Sequence, residues 1–422
     1  MISVNSTSIN PTHVTGLLHT LSSASSILAT AHKNGPVYTY SQYLRGASAS
    51  LNAISAESVL ATATASSAKA SASAALRSAA LDLAGLEWEQ NQYTEWLTLW
   101  PNALFTGVFG FLLVFHFGLT IFSRYWYFGT TFVIGTGLCF GGYLARSLSV
   151  NHESEQNPFL VQIIVLTIAP AFLMAGVYYI LGKMLVLHGP GYSTLRPKWF
   201  SYIFVSCDLI SLIVQAVGGA MAADAVSQAD DTAPGTHVMV AGIAFQVVSM
   251  SFFLLVFFEF VFKLYFRCSP DIRFSFGTLI GLFFDTKRGR QLRPELDAHY
   301  IRGFESVRQR QAFSYVPLAV FASTVCIYIR CIYRLVELAG GWRGYVITHE
   351  AFLMALDALQ VAFSCFIFIL FHPYVMWGPR SQLHALQKEV SESEKYKEEA
   401  VNGDLEEGDG VESTISGGSS WH

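Results

Sequence analysis

The stretch Trp199–Met221, WFSYIFVSCDLISLIVQAVGGAM, is long and apolar enough to cross a bilayer as a helix, yet it carries Asp208 and Gln215. Seven residues separate the two, so they lie on one helical face. An aspartate at the centre of a membrane helix costs about 3 kcal/mol, against a gain of about 0.5 kcal/mol for each good apolar residue. Asp208 therefore needs a polar reason to be there. Ser211, Gly218 and Gly219 continue the same stripe, giving the helix a small, polar side suited to other helices and an apolar side suited to lipid.

Composition places the rest of the chain in the same solvent. Hydrophobic residues make up 52% of the 422 and charged residues 13%, with a mean hydropathy of +0.40, values too apolar for a soluble protein of this length. The net charge of −4 says little, because a membrane protein is read by where its charges sit. No polybasic tract or base-stacking signature points to nucleic acid. Of the six cysteines, Cys268 alone falls outside an apolar span, and their spacing implies neither a disulfide framework nor a metal site. No cofactor is expected. The N-terminus does not read as a signal peptide, since the apolar run at Leu17 and Leu18 is diluted by Ser, Thr and His.

Working outward, apolar spans run at about 101–122, 126–148, 159–182, 199–222, 237–266, 312–338 and 349–372. The expected fold is all-α: a polytopic membrane protein of seven transmembrane helices. Arg124, Lys183, Arg196, Lys198, the basic set from Lys263 to Arg310 and Arg380 fall on one side, while the alternate loops hold little beyond Arg146 and Arg343. The positive-inside rule then puts the N-terminus outside and the C-terminus in the cytosol. Residues 1–100 read as an extracytoplasmic Ala/Ser/Thr-rich tail, loose or partly helical, with a glycosylation sequon at Asn5. Residues 101–373 form the seven-helix domain, and 374–422 a cytosolic acidic, disordered tail. The long connection at about 267–311 contains IRFSFGTLIGLFF beside basic residues, which reads either as an interfacial segment on anionic inner-leaflet lipid or as an apolar patch folded on helix ends.

With that orientation, the sixth span carries Arg330, Arg334 and Glu337 on one face, the seventh carries Glu350 and Asp357, and Gln246 lies in the fifth. These groups collect at similar depth in the outer half, where pairing is the inexpensive way to keep them. They are expected to form either a packing salt-bridge network or an outer gate whose pairs exchange. Asp208 has no basic residue at its depth, so it is expected to be protonated, bonded to Gln or Ser, or a counter-ion for a cationic ligand. His116 is expected to bond a neighbouring helix, Glu259 and Lys263 to form an i, i+4 pair, Pro170 to kink the third span, and Gly218 and Gly219 to allow close packing.

The blocks IAPAFLMAGVYY, LRPKWFSYIFVSCDLISLIVQAVGGAM, IRCIYRLVELAGG and HEAFLMALD with a terminal HP resemble the fungal lipid-translocating exporter family, also called aminocholesterol-resistance-like. The resemblance covers roughly Tyr93 to Pro373 and leaves out both tails. It implies a seven-helix fungal membrane protein; members are associated with release of sphingoid long-chain bases, resistance to toxic amphiphiles and, in one branch, porphyrin or haem movement. Asp208, Gln215, Gly218, Gly219, Arg330, Arg334, Glu337, Glu350 and Asp357 match its pattern. Cys139 and Met354 depart from it, as does the length of the fifth connection.

Three function classes follow. The first is a translocase of lipid-like amphiphiles, sphingoid bases favoured, with Asp208 as head-group acceptor, Gln215 and Gln246 as orienting partners, and Arg330, Arg334, Glu337, Glu350 and Asp357 as the outer gate. Its partners would be membrane lipids or amphiphilic small molecules, and its location the plasma membrane or an endomembrane. The second is a seven-helix receptor signalling through the basic connection and the acidic tail. An enzyme is not expected: the seventh span has no lysine for a Schiff base, His116 is the one histidine well inside a span, and no phosphate-loop motif is present.

Overall fold

The computed structural model describes residues 13–388 apart from 94, 151, 190, 191, 193–196, 268–273, 342 and 343. The sequon at Asn5, Cys268, Arg196, Arg343 and the tail beyond residue 388 lie outside the described residues. Among the described residues the structure is helical, with no strand.

Helices α1 (Val14–Leu28), α2 (Asn34–Thr62) and α3 (Ser66–Gln90) come first. The Ala/Ser/Thr composition suggested a looser segment because it lacks a stripe of large apolar residues. Small residues pack it instead: Ala47, Ala49, Ala53, Ala56, Ala72 and Ala79 are buried. The start of α2 rests on the far end of the fourth spanning helix, where a Cβ on Gly35 would stand 2.5 Å from the carbonyl of Ser227.

Among the described residues, seven helices are long and apolar enough to cross a membrane: Leu99–Ser123, Trp126–Leu148, Gln156–His188, Trp199–Gln228, Ala233–Arg267, Gln311–Ala339 and Glu350–Trp377. They coincide with the seven spans read from hydropathy. In chain order they contain α4 (Leu99–Ser123), α5 (Trp126–Leu148), α6 (Gln156–His188), α7 (Pro197–Gln228) and α8 (Ala233–Phe262), the last continued by a π turn at Lys263–Arg267. The connection holds α9 (Phe276–Phe283), α10 (Lys287–Asp297) and α11 (Glu305–Arg308). The sixth span is α12 (Val316–Ala339), and the seventh runs through α13 (Glu350–Phe352), a π turn at Leu353–Ala358, α14 (Leu359–Leu370) and α15 (Pro373–Trp377).

Helix α6 is central, with Leu173, Met174, Val177, Tyr178, Ile180 and Leu181 all 0% exposed. It packs on α5, α7 and α12, while α12 also meets α8 and α14. Helix α4 turns Phe111, Val114, Phe117 and Phe122 outward, the composition of a lipid-facing surface. The α4–α5 corner is short, Arg124 adopting the left-handed conformation (φ 57°) that stops α4. It is tied to the end of the seventh span, Tyr125 Oη donating to the Gly378 carbonyl at 2.8 Å and Arg380 Nη1 to the Arg124 carbonyl at 2.9 Å.

Between α7 and α8 the backbones approach closely. A Cβ on Gly218 would lie 2.5 Å from the Met239 amide, whereas one on Gly219 would meet nothing nearer than Met239 Sδ at 3.8 Å. Of the two glycines expected to allow packing, Gly218 makes the contact. Without a hydrophobic effect to drive helices together in lipid, this contact and the interhelical hydrogen bonds hold the pair.

Candidate functional site

The polar stripe of α7 is spent on α8. Ser211 Oγ donates to the Gly242 carbonyl at 2.8 Å, and Gln215 Nε2 donates to Ser211 Oγ at 2.7 Å and to Gln246 Oε1 at 3.2 Å. Gly242 makes room for this, since a Cβ there would stand 2.8 Å from Gln215 Cγ. The structure thus brings Gln215 and Gln246 together, as the sequence reading placed them.

Asp208 is held elsewhere. It is 2% exposed, and Tyr178 on α6 donates its hydroxyl to Oδ2 at 3.0 Å, leaving Oδ1 buried without a hydrogen-bond partner. Gln215 lies further along α7 and bonds Gln246 of α8 instead of Asp208. Tyr178 went unnoticed in the sequence because it sits in a helix apolar on every side, where a tyrosine reads as core.

On α12 and the seventh span the expected ion pairs form. Arg330 Nε donates to Asp357 Oδ1 at 2.6 Å, Arg334 Nε lies 3.1 Å from Asp357 Oδ2, and Arg334 Nη1 donates to Glu337 Oε2 at 2.9 Å. Tyr333 Oη donates to the other Glu337 oxygen at 3.0 Å. Arg330 Nη2 also donates to the Leu166 carbonyl on α6. That carbonyl is the one Pro170 cannot serve, because proline lacks the amide that would bond four residues back. Helix α6 stays continuous through Pro170, and the freed acceptor is used across the bundle.

Glu350 departs from the expected set. Its Oε1 accepts from Asn102 Nδ2 at 2.6 Å and lies 3.4 Å from Arg146 Nη2, and its Oε2 accepts from the Thr98 amide at 3.2 Å and from the Thr98 hydroxyl. Arg146 Nη2 also donates to Glu95 Oε1 at 2.7 Å. A spacing of seven keeps Glu350 and Asp357 on one face only if the turns between them are α; the π turn at Leu353–Ala358 takes more residues per turn, so seven residues fall short of two turns and the two acids are divided. Arg146, read in the sequence as a loop charge, is a buried part of the site, and Glu95, which the sequence reading passes over, is its nearly buried partner. Burial pushes the Glu95 carboxyl above its usual range, with Arg146 acting in the opposite direction.

These groups surround one cavity of about 80 Å³, lined by Glu95, Arg146, Gln162, Gln215, Gln246, Arg330, Arg334 and Glu337 among others. Its wall is incompletely satisfied: Arg334 Nη2, Arg146 Nε and Gln162 Oε1 are buried without hydrogen-bond partners. A cavity of this size and polarity has room for several water molecules or for a small cationic head. Asp208 does not line it. Counting the groups that line it or pair with those that do, three arginines (Arg146, Arg330, Arg334) face four carboxylates (Glu95, Glu337, Glu350, Asp357). The carboxylates outnumber the guanidinium groups by one, an excess that favours a cation when all four are ionised.

The remaining expectations are local. His116 Nε2 lies 3.1 Å from the Cys365 carbonyl, so it does bond a neighbouring helix, and Glu259 pairs with Lys263.

Residues 132–380, more than half of the chain, match the model of the family described as RTA1 like protein. Over 278 residues the chain is 36% identical to the sphingoid long-chain base transporter RSB1 of Saccharomyces cerevisiae, covering 65% of this chain and 71% of that protein. It is 26% identical to protoporphyrin uptake protein 1 of the same yeast (52% of this chain, 60% of that one) and 24% identical to protein RTM1 (54% and 62%). No solved structure matches the chain. The blocks on α6, α7, α12 and the seventh span that carried the resemblance lie inside the matched region, and this integral membrane protein belongs to the RTA1-like family.

Proposed function

We propose that this protein translocates cationic, lipid-like amphiphiles, with sphingoid long-chain bases the favoured class, and that it does so in the plasma membrane with its N-terminus outside. The observation that carries the reading is the polar cavity inside the bundle, where an arginine–carboxylate network with a surplus carboxylate faces the Gln215–Gln246 pair. A cationic head suits such a cavity, and its apolar tail suits lipid-exposed helices around it. The similarity to a protein named as a sphingoid long-chain base transporter points to the same chemistry.

In this account Gln215 and Gln246 orient the head group by hydrogen bonding. Arg330, Arg334, Glu337 and Asp357 form the gate, whose ion pairs exchange as the head passes, and Glu350 with Arg146 and Glu95 closes its outer end. Asp208 accepts the ammonium group through its unpaired Oδ1 once Tyr178 moves. No catalytic role is assigned, and movement follows a lipid gradient or couples to protons, since the chain carries no phosphate-loop motif.

The test is transport by the purified protein in liposomes of a labelled sphingoid base beside its N-acetylated form, which has the same tail and no charge. Movement of the base alone supports the reading. Equal movement of both, or of neither, overturns it.

A further inference from the structure

The basic connection builds a second cavity, remote from the first in its lining. Helices α10 and α11 close over the ends of α6, α8 and α12 around a space of about 650 Å³, with α9 alongside through the Leu282 carbonyl that Arg293 bonds. Four arginines line it, Arg290, Arg293, Arg302 and Arg308, against the carboxylates of Asp285, Asp297 and Glu305. From Phe274 to Gln311 lysine and arginine outnumber aspartate and glutamate seven to four.

Two of these arginines are fixed in place by the backbone. Arg293 donates to Asp285 Oδ1 at 2.8 Å and, through Nη2, to the Leu282 and Ser314 carbonyls at 3.2 Å each. Arg308 pairs with Asp297, donates through Nη1 to the Leu187 and Ile301 carbonyls at 2.9 and 2.8 Å, and lies 5.6 Å over the Tyr300 ring. Its remaining nitrogen, Nη2, is buried and has no hydrogen-bond partner. A guanidinium immobilised on two sides with a donor left unused is preorganised for an oxyanion, and its planar fork matches phosphate.

The setting identifies the source of that oxyanion. Helix α9 buries Thr278, Gly281 and Leu282 against the bundle and exposes Phe276 and Ile280, with Phe284 one turn on, at 71%, 46% and 55%. Such an apolar face beside a basic cavity, at the end of a membrane-spanning helix, is the pattern of a segment lying in the headgroup region. We propose that the cavity binds the phosphate of an anionic phospholipid whose chains run along the exposed face of α9. Of the two readings of this connection in the sequence, interfacial or folded on helix ends, the packed face of α9 fits the second, and the proposed lipid contact extends the first to its exposed face.

The experiment measures binding of short-chain phosphatidic acid to the full chain in detergent, with short-chain phosphatidylcholine and inorganic phosphate as the comparison ligands. Phosphatidic acid is expected to bind at least ten-fold more tightly than either. Arg308→Gln is expected to weaken it ten-fold or more. Should that variant fail to fold, Arg302→Gln and Arg290→Gln, both on exposed side chains, are together expected to weaken it several-fold with thermal stability unchanged. Equal affinity for phosphatidylcholine, or binding indifferent to Arg302 and Arg290, would overturn the site; equal affinity for inorganic phosphate would overturn its assignment to lipid.

Discussion

Arg330 donates to the carbonyl of Leu166, the acceptor that Pro170 leaves open in α6, while the same guanidinium holds Asp357 on the seventh span. One side chain therefore joins three helices, and a missing backbone amide is part of the joint. Lysine keeps the charge and cannot reach both acceptors with a fixed fork. Arg330→Lys is expected to cost about 3 kcal/mol, the range for breaking a buried pair. In a Pro170→Ala background Leu166 regains an amide of its own, so the Arg330→Lys cost should shrink by about 1 kcal/mol. Thermal unfolding of the four proteins of this cycle in one detergent measures the coupling, and strict additivity would refute the joint.

Asp357 sits between two arginines, at 2.6 Å from Arg330 Nε and 3.1 Å from Arg334 Nε. Asp357→Asn leaves both positive and desolvated with Glu337 as the remaining partner. A loss of about 3–5 kcal/mol is expected, against about 1–2 for Glu337→Gln, whose Arg334 keeps Asp357. Melting temperatures of the two variants give the order.

Gly218 and Gly219 are adjacent in sequence and differ sharply in space. Gly218→Ala forces a Cβ to 2.5 Å from the Met239 backbone, whereas Gly219→Ala meets a flexible thioether at 3.8 Å. The first is expected to destabilise by about 1–3 kcal/mol, as overpacking does, and the second to be neutral or slightly stabilising. Comparative unfolding in detergent distinguishes them.

Glu95 lies before the first span, and its carboxyl is raised by burial from the ordinary value of 4.5. Between that value and the higher folded-state value the folded chain holds a proton that the unfolded chain has released. Its contribution to stability is therefore full below about pH 4.5 and declines as pH rises through the folded-state value. Glu95→Gln should flatten this decline in a pH series of melting temperatures; an unchanged slope would remove Glu95 as its cause.

The spans were legible because twenty or so apolar residues leave few alternatives, and the α7 stripe because Asp208, Ser211, Gln215 and Gly218 share a face. That the arginines of the sixth span would pair with carboxylates followed from the cost of unpaired charge, without fixing which pairs form. Three things were not legible. The π turn that separates Glu350 from Asp357 leaves no compositional mark, so the sequence reads as a continuous α register there. Arg146 and Glu95 sit at a hydropathy boundary, where buried and solvated charges look alike. Tyr178 offered no signal as the partner of Asp208, since it sits in a helix that is apolar on every side.

Tyr178 and Asp208 separate structure from transport. Tyr178→Phe removes the hydroxyl and leaves a buried carboxyl without its donor, a cost of about 1–3 kcal/mol. Because it also frees the acid, the account expects sphingoid-base flux in this variant to be retained or increased per folded molecule, while Asp208→Asn abolishes it. Flux normalised to folded protein in liposomes reports both.

The central claim is that the cavity beside Gln215 and Gln246 receives the cationic head. Its most direct measurement is sphingoid-base flux through Gln215→Leu/Gln246→Leu protein reconstituted in liposomes, with the melting temperature taken on the same preparation. The account predicts at least a ten-fold loss of flux in protein that still unfolds cooperatively. Wild-type flux from that folded double variant would contradict it.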